Sequence, residues 1–310
     1  WYPGLFGRLE SGAEVRDLGA VDVNVAGSGD YVGGLVGFNG GSITTSYSSG
    51  AVSGEGYVGG LVGLNVGSVT RCYSTATVNS SVSAVGGLAG ENWGGTITHC
   101  YSTGAVSGSR NHVGGLVGSI ANDGRVTHSV WDTQTSGLSA SESGAGLTTT
   151  EMMDPYMLGL NGFANDPNWI LDAGRDYPRL AWEGTPGQMI PEPNIDWMEG
   201  HGTPESPFRI DTVDQFILLS KASILWDKHF VLGADINLDP NLPGGKAFAQ
   251  AVIPVFSGVL DGSEHVISRM TITGGSYLGL FGRLESGAEI KELGIVDANI
   301  AGSGSYVGGL

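Results

Sequence analysis

The sequence predicts an all-β fold, a right-handed parallel β-solenoid with small α/β caps. The block Val-Gly-Gly-Leu begins at Val32, Val58, Val85 and Val113 and again at Val307, so the first four copies are 26, 27 and 28 residues apart. A fixed spacing in this range is typical of a solenoid or repeat array. The units are rich in Gly, Ser, Thr and Val, and their strand-like runs carry no 3.6-residue apolar stripe. Parallel connections almost always turn to the right, so we expect a right-handed coil.

Each unit places the same residue types at the same positions. We place four leucines in the core of the solenoid: Leu35, Leu61, Leu88 and Leu116. Four residues after each of the first three stands Asn39, Asn65 or Asn92, whereas Asn122 is displaced by a two-residue insertion. Asn tolerates turn conformations and bonds to nearby backbone groups. These residues therefore predict a stacked corner ladder.

A second, longer period covers the whole chain. Residues 5–14 recur unchanged as residues 280–289, an offset of 275. The chain is therefore slightly longer than one super-repeat. We predict five regions: solenoid coils at 1–144, a C-terminal cap at 145–183, a Pro-bearing linker at 184–197, the N-terminal cap of the next super-repeat at 198–254, and the first coils of the next solenoid at 255–310.

Residues outside the regular units predict the caps. Residues 150–158 favour a short helix, and Thr212 with Gln215 has the spacing of a capping box that starts another. The bulky side chains near Trp169 and Trp182 are expected to seal an open solenoid end. Residues 258–267 predict two strands around the Asp261-Gly262 turn signal.

The two ends of the chain lie within repeats. We therefore expect Trp1 and Leu310 to stand next to unpaired strand edges and exposed apolar core. Such edges are templates for association. End-to-end self-association at these two ends follows as an expectation.

The charge and composition exclude several classes of partner. The chain has 14 basic and 31 acidic residues, a net charge of −17, which disfavours nucleic acid and anionic membrane surfaces. The sequence contains no run of 18 apolar residues, so it predicts no transmembrane helix. Two cysteines are too few for a disulfide scaffold or a four-cysteine metal site.

The regular units resemble a known motif. The run from Val58 through Gly67-Ser68-Val69-Thr70-Arg71-Cys72-Tyr73-Ser74-Thr75, with its copies, resembles the GLUG motif, named for its Gly-Leu-x-Gly core. The resemblance covers residues 4–132 and 256–310. It implies an array in a large bacterial surface or secreted protein, at the cell surface or outside the cell, with no assigned catalytic residues.

Cys72 and Cys100 occupy equivalent positions on adjacent coils. Parallel neighbours lie about 4.8 Å apart, within the Cα range of a disulfide. In-register stacking nevertheless separates the Cβ atoms more than a disulfide prefers. Ser46 and Ser129 take the same position in the flanking coils, which indicates that it requires only a small side chain. We therefore expect two buried free thiols and leave the disulfide as the alternative.

The acidic residues do not form a catalytic pair. Glu55, Glu91 and Asp123 fall at different places within their units, whereas polysaccharide lyases and hydrolases need clustered carboxylates or a basic residue on one wall. We therefore assign no catalytic, cofactor-binding or metal-binding residue and predict that the protein is not an enzyme. The alternative from another functional class is a carbohydrate-active β-helix, a polysaccharide lyase or hydrolase.

The histidines and two acidic segments are the candidate metal ligands of the sequence. The six histidines, none in HExxH spacing, are His99, His112, His128, His201, His229 and His265. Arg71, His99 and His128 occupy related positions and predict a variable site on one wall. Residues 235–239 and 165–168 offer oxygen ligands but lack a known calcium-loop pattern, so no cofactor is assigned and Ca²⁺ stays an alternative. Residues 79–81 fit a glycosylation sequon, which we interpret as chance.

Tyrosines recur at two positions of the coil. Tyr47, Tyr73 and Tyr101 predict one aromatic ladder, and Tyr31, Tyr57 and His112 a second. Such rows stack on sugars or proteins, or pack against each other and stiffen the wall. We favour the stiffening role, because any in-register repeat stacks like residues. The functional prediction is a structural or adhesive array with an unidentified surface glycan or protein ligand.

Overall fold

The structure is a computed structural model that describes residues 2–82, 84–109 and 112–310. It divides into two compact units, Trp1–Glu192 and Pro193–Leu310. Trp1, for which we expect a neighbouring unpaired edge, lies outside the described residues. The predicted parallel β-solenoid is confirmed, since the ladders that join successive coils are parallel.

Four sheets form the walls of the solenoid in the first unit. We name them A to D. The strands of sheet A are Phe6–Leu9, Val36–Asn39, Val62–Asn65, Ala89–Trp93 and Val117–Ala121. Those of sheet B are Glu14–Arg16, Ser42–Thr44, Ser68–Thr70, Thr96–Thr98 and Arg125–Thr127. Those of sheet C are Gly19–Gly27, Tyr47–Gly54, Tyr73–Ser74, Thr77–Ser80, Tyr101–Ser102, Val106–Gly108, Val130–Asp132 and Ala145–Leu147. Those of sheet D are Tyr31–Gly33, Tyr57–Gly59, Val85–Gly86 and Val113–Gly114.

The coils stack in register, so that many residues lie opposite the same residue type in the next coil. Val36 stands opposite Val62, and Tyr73 stands between Tyr47 and Tyr101. The four core leucines are fully buried, as predicted: Leu35, Leu61, Leu88 and Leu116. One coil cannot cover its own apolar face, so the neighbouring coils supply the burial.

The two glycines of the Val-Gly-Gly-Leu block are required by the close approach of backbone. A Cβ at Gly59 would overlap the carbonyl oxygen of Val62. A Cβ at Gly60 would overlap the carbonyl oxygen of Gly87 in the next coil. The equivalent glycines of the first and third blocks meet the same obstacles, whereas in the fourth block Gly115 faces the Trp131 ring. Only a residue without a side chain allows one coil to lie this close to the next.

The predicted asparagine ladder is confirmed for three residues. Asn39, Asn65 and Asn92 are fully buried, and each Nδ2 of the first two donates to the Oδ1 of the next at 2.8 Å. The remaining Nδ2 of Asn92 donates to the carbonyl oxygens of Gly95 and Arg125. The fourth position is taken by Ile120, so Asn122 lies outside the ladder. The two-residue insertion moves Asn122 into a left-handed turn beside Gly94.

The C-terminal part of the first unit contains short helices and one antiparallel sheet. The helices are Thr149–Met152, Pro155–Leu158, the π-helix Gly159–Phe163 and the 3₁₀ helix Ala181–Glu183. The first two agree with the predicted short helix, and they are capped by Thr148 and Asp154. The antiparallel strands are Trp169–Leu171, Arg179–Leu180 and Gln188–Met189.

The second unit is a shorter solenoid of the same kind. Its sheets contain Phe208–Ile210, His229–Leu232, Val259–Asp261 and Glu289–Lys291; Ile236–Asn237, Val266–Ser268 and Gly294–Val296; Ala247–Phe248, Thr271–Gly274 and Asn299–Gly302; and Ile253–Phe256 with Phe281–Leu284. Its helices are Val213–Leu219 and the 3₁₀ helix Ser223–Leu225.

In the second unit, the predicted capping box is confirmed, whereas the two strands predicted around the Asp-Gly turn pair differently from a hairpin. The capping box of Thr212 and Gln215 is present. The two strands around Asp261-Gly262 form, but each pairs with a neighbouring coil in a different sheet and they do not pair with each other. In a solenoid, a turn signal therefore marks a corner of the coil where an isolated sequence suggests a hairpin.

We predict that Asn65→Ala destabilises the first unit by about 2–4 kcal/mol, because it removes both ladder bonds and leaves buried polar atoms on Asn39 and Asn92 without those partners. Chemical denaturation followed by circular dichroism measures the loss. Asn79→Ala is the control, since Asn79 is exposed and donates one bond of 2.8 Å to Ser107. Equal losses in the two variants would contradict a stabilising role for the buried ladder.

Candidate functional site

The first aromatic ladder runs along sheet C. The ring centroids of Tyr47 and Tyr73 are 4.7 Å apart and those of Tyr73 and Tyr101 are 4.9 Å apart, with nearly parallel planes. The spacing equals the distance between coils, since one ring projects from each. The predicted ladder is therefore confirmed. Tyr73 and Tyr101 are buried, which leaves little of this column for a ligand.

The segment that buries this ladder is the one expected to seal an open end. Residues 166–183 lie along the side of the solenoid, where Trp182 stacks on Tyr47 and Trp169 packs against Tyr73 and Tyr101. The Trp182 indole donates to the carbonyl oxygen of Thr45 at 2.7 Å. The flat ring faces of the column offer apolar area that bulky aromatic groups cover. We call residues 166–183 the flank segment.

Polar groups fix the flank segment on the tyrosine hydroxyls. Tyr73 Oη donates to Glu183 at 3.0 Å, and Tyr101 Oη donates to the carbonyl oxygen of Pro178 at 2.5 Å. Burial, together with the nearby Glu183 carboxylate, raises the pKa of both tyrosines. The hydroxyls therefore stay protonated and act as donors. These contacts give the column a structural role.

Asp132 is a buried carboxylate that the sequence did not single out. Its Oδ2 accepts from Tyr177 Oη and from Thr149 Oγ1, each at 2.7 Å. Its Oδ1 accepts from the backbone N–H groups of Gln134 and Thr135. Burial and the Asp132 carboxylate raise the pKa of Tyr177 to about 12. The carboxylate thus joins the last coil to the flank segment, and its two oxygens are already engaged.

A column of left-handed residues marks one corner of the coils. It contains Asp17, Thr45, Arg71, His99 and His128, with φ between 46° and 55°. Thr45 Oγ1 donates to Asp17 at 2.6 Å. The rings of His99 and His128 stack at 5.0 Å. The predicted wall position thus brings Arg71 and the two histidines into one column, which serves as a corner of the fold.

Arg71 binds Asp166, which lies in one of the two acidic segments that offer oxygen ligands. Its Nε donates to Asp166 Oδ2 at 2.5 Å, and Asp166 Oδ1 accepts from the backbone and side chain of Asn168. Burial opposes ionisation of Asp166, but the bonds from Asn168 and Arg71 outweigh it and lower its pKa. Residues 165–168 thus use their acidic group to hold the flank segment on the corner column.

The cysteines are free and buried. The Sγ of Cys100 accepts from the backbone N–H of Cys72 at 3.4 Å, and each thiol approaches the carbonyl oxygen of the residue two positions before it. Burial raises the pKa of the Cys72 thiol. A protonated, enclosed thiol is a poor nucleophile and a poor metal ligand. The expectation of two free thiols is confirmed.

The second aromatic ladder differs in its members from the one predicted. Tyr2 stacks on Tyr31 at 5.6 Å, and Tyr31 lies 5.6 Å from Tyr57. The next position of the column is Ala84, which ends the stack before His112. The inclusion of His112 was wrong, because the repeat places an alanine between it and Tyr57. Tyr2 was missed, since it lies before the first Val-Gly-Gly-Leu block.

These three rings form a partly exposed surface with a basic group beside it. All three are half-buried. Phe38 packs against Tyr2 and Tyr31, and the Arg8 guanidinium lies 4.5 Å from the Phe38 ring centroid. We call Tyr2, Tyr31, Tyr57 and Phe38 the aromatic stripe. The pair Tyr277 and Tyr306, which stacks at 4.7 Å, repeats Tyr2 and Tyr31 in the second unit.

Glu91 lies near the Tyr57 end of the aromatic stripe. It is buried, and burial raises its pKa while a bond from Ser119 partly offsets the shift. Burial and the Glu91 carboxylate raise the pKa of Tyr57. Glu55 and Asp123, the other acidic residues weighed in the repeats, are exposed. The stripe therefore has a basic group at one end and an acidic group at the other.

The acidic loop of the second unit is occupied by local contacts. Asp235 Oδ1 contacts His265 Nδ1 at 3.0 Å and accepts from the backbone N–H of Val266. Asp239 accepts from Asn241 and lies 3.9 Å from Arg269. In the described part of the chain, no three His, Cys, Asp or Glu side chains come together as metal ligands.

Among the described residues, no helix is long and apolar enough to span a membrane.

We predict that protonation of His99 weakens the first unit. Burial, His128 and Arg71 lower the pKa of His99 to about 4, while Asp166 opposes them. The unfolded chain takes up the proton near pH 6.5, so stability falls as the pH falls from about 6.5 to 4. After a discount for solvent exposure, the loss is about 1–2 kcal/mol.

Thermal melts of the wild type and His99→Gln between pH 7 and pH 4 measure this effect. The variant should lose less stability across the window. His112→Gln, at an exposed histidine, controls for a general effect of removing a histidine. The same pH slope in all three proteins would contradict the assignment.

Comparison with known proteins shows what the repeats are similar to. Residues 54–79 and 81–107 each match the GLUG motif. Halomucin of Haloquadratum walsbyi (strain DSM 16790 / HBSQ001) is 41% identical over 120 residues, which cover 35% of this chain and 1% of halomucin. The match therefore spans a small part of that relative. No solved structure matches the chain. The predicted resemblance is confirmed: the chain carries GLUG repeats and is similar to a segment of halomucin.

Proposed function

We propose that this chain is a non-catalytic structural and adhesive repeat array of a protein at the cell surface or outside the cell. One observation carries the proposal: the buried asparagines and the buried carboxylates Asp132 and Asp166 join coil to coil or hold the flank segment. The buried Asn39, Asn65 and Asn92 bond to one another. Asp132 and Asp166 bind the flank segment or the corner column.

The arrangement of carboxylates argues against hydrolysis or elimination on this solenoid. Those reactions need an acid and a base that face one substrate. Asp132 is fully buried and bonds with both oxygens, and Glu91 is buried with Ser119 as a partner. Neither is paired with a second free carboxylate among the described contacts. The opposing hypothesis is a carbohydrate-active β-helix.

The comparisons support a surface location. GLUG repeats occur here in tandem, and the name halomucin denotes a mucin. Both fit a repeat protein of the cell surface. The net charge of −17 supports an exposed, well-hydrated chain that is repelled by anionic polymers. Repeats of this kind provide rigid spacing, because each coil contacts only its neighbours.

The aromatic stripe is the surface that best suits adhesion. Tyr73 and Tyr101 are buried by the flank segment, and Trp182 of that segment stacks on the half-buried Tyr47. Tyr31 and Tyr57 are half-buried, and among the described residues their ring contacts include none from the flank segment. Half-exposed tyrosines offer apolar ring area with a polar hydroxyl, a combination that suits the apolar face and hydroxyl groups of a sugar. The acidic net charge favours a neutral glycan over an anionic one.

We predict weak, saturable binding of neutral glycan without turnover. The probes are soluble oligosaccharides of glucan, mannan and galactan, with polygalacturonate as an anionic probe. Isothermal calorimetry measures binding, and chromatography of the incubated probes detects products. Tyr31→Ala with Tyr57→Ala should reduce affinity for a bound neutral probe about tenfold or more, since stacking rings carry about 1–3 kcal/mol.

The matched control is Tyr156→Ala, a tyrosine outside both ladders. New products from any probe would overturn the non-catalytic proposal. Absence of binding to every neutral probe, or equal binding by the double variant, would overturn the adhesive part of the proposal. Neither result would bear on the spacing role.

A further inference from the structure

The aromatic rings along sheet C form a continuous chain of oxidisable groups. From Trp182 the ring centroids follow at 6.0 Å to Tyr47, then at 4.7 Å to Tyr73, 4.9 Å to Tyr101 and 6.4 Å to Tyr177. In these pairs the ring planes lie within 24° of parallel. Tryptophan and tyrosine are the aromatic side chains that lose one electron most readily. Rings stacked at these distances are in near contact, so an electron passes easily from one to the next.

One end of this chain of rings reaches solvent, and its middle does not. Trp182 is 40% exposed, whereas Tyr73 is 7% and Tyr101 is 1% exposed. Tyr47 and Tyr177 are half-buried. A one-electron oxidant dissolved outside the protein therefore meets Trp182 most readily, and it reaches Tyr73 and Tyr101 only through other rings.

Hydrogen bonds decide which of these rings can release a proton when it is oxidised. The Trp182 indole donates to the carbonyl oxygen of Thr45 at 2.7 Å, and a carbonyl oxygen is too weak a base to take the proton. Tyr73 Oη donates to the Glu183 carboxylate at 3.0 Å, within the range for direct proton transfer. An oxidised phenol is a strong acid, so the Tyr73 proton moves to Glu183. Electron loss is therefore stabilised at Tyr73 and not at Trp182.

The other buried tyrosines differ in their proton acceptors. Tyr177 Oη donates to Asp132 Oδ2 at 2.7 Å, which makes Tyr177 a second ring with a carboxylate to receive its proton. Tyr101 Oη donates to the carbonyl oxygen of Pro178, so Tyr101 passes an electron on but keeps its proton. Burial raises the pKa of Tyr73 and Tyr101, so both are protonated at rest. Oxidation is thus stabilised at Tyr73 and Tyr177, with Tyr101 between them.

We propose that this chain of rings carries one-electron oxidation from the exposed Trp182 to the buried Tyr73. A one-electron oxidant in solution removes an electron from the Trp182 ring. Tyr73 then returns an electron to Trp182 through Tyr47, and the Tyr73 Oη proton moves to Glu183. The products are the reduced oxidant, intact Trp182, a neutral tyrosyl radical at Tyr73 and a protonated Glu183. An electron from a reductant in solution, such as ascorbate, together with the proton on Glu183 restores the Tyr73 hydroxyl.

This transfer protects the exposed ring. A tryptophan radical at the surface combines with oxygen and is lost irreversibly, whereas a buried tyrosyl radical is shielded from such reactions until a reductant repairs it. The cycle uses the rings of sheet C and of the flank segment and none of the aromatic stripe. The inference is therefore independent of the proposed function.

The first test compares two exposed tryptophans of the unmodified chain. Tris(bipyridine)ruthenium(III), generated by light with a cobalt(III) ammine as electron acceptor, is the oxidant, and peptide mass spectrometry measures the irreversible oxidation of each tryptophan. Trp93 is the internal standard, because it is 49% exposed and contacts no other ring among the described residues. Trp182 should be oxidised severalfold less than Trp93. Equal oxidation of the two would overturn the proposal.

Two variants test the assigned path. Tyr47→Phe with Tyr73→Phe keeps the stacked rings but removes the phenols that lose an electron, so Trp182 oxidation should rise to that of Trp93. Glu183→Gln keeps a hydrogen-bond acceptor that takes no proton, so it should slow the appearance of tyrosyl radical in transient absorption severalfold. Tyr156→Phe, at a tyrosine outside both ladders, is the matched control and should behave as the wild type.

Thermal melts of each variant separate a redox role from a structural one, because Glu183→Gln should change the radical kinetics at an unchanged melting temperature. If the double variant melts early, the comparison of Trp182 with Trp93 in the wild type and the Glu183→Gln kinetics still decide. Unchanged oxidation of Trp182 in a folded double variant, or tyrosyl radical formation at the wild-type rate in Glu183→Gln, would overturn the proposal.

Discussion

The close approach of one coil to the next at the paired glycines is the constraint on which the rest of this structure depends. At Gly60 the backbone passes so near the carbonyl oxygen of Gly87 that no side chain fits. That approach fixes the register, because a shift by one residue would bring Leu61 to the position of Gly60 or Val58 to the position of Gly59. With the register fixed, each side chain must lie on its equivalent in the next coil. The recurrence of two adjacent glycines in successive coils follows from this requirement.

In-register stacking then decides which residues remain available for function. Buried asparagines satisfy each other, small residues fill the position of Cys72 and Cys100, and tyrosines stack ring on ring. The flank segment buries Tyr73 and Tyr101 of one tyrosine column, while the other column, with Tyr31 and Tyr57, stays half-buried. The same stacking that builds the solenoid thus creates a regular surface, and the aromatic stripe is the part of it that best suits a ligand. A spacing role needs the ladders alone, whereas adhesion needs the stripe as well.

The positions that repeat in each coil could be predicted from the sequence. The residues that occur only once could not be placed in this way. Equal spacing was enough to place Leu61 in the core, Asn65 in a ladder and Tyr73 between two tyrosines, since each has copies at the same position. The position of the flank segment could not be predicted, because Trp169 and Trp182 occur once and their contacts reach far along the chain. Asp132 was missed for the same reason. The aromatic stripe was predicted in part: Tyr31 and Tyr57 repeat, whereas Ala84 breaks the column and Tyr2 precedes the first repeat block.

The measurement that tests the account most directly is the stability of Gly60→Ala against Gly275→Ala. A Cβ at Gly60 would overlap the backbone of the next coil, whereas one at Gly275 meets nothing within 4 Å, and neither glycine has a positive φ. Chemical denaturation should show that Gly60→Ala costs about 3 kcal/mol or more or prevents folding of the first unit, because packed backbone cannot move aside for an added methyl. Gly275→Ala should change the stability of its unit by less than about 1 kcal/mol. A Gly60→Ala variant as stable as the wild type would contradict the claim that coil-to-coil contact at the paired glycines sets the register of the solenoid.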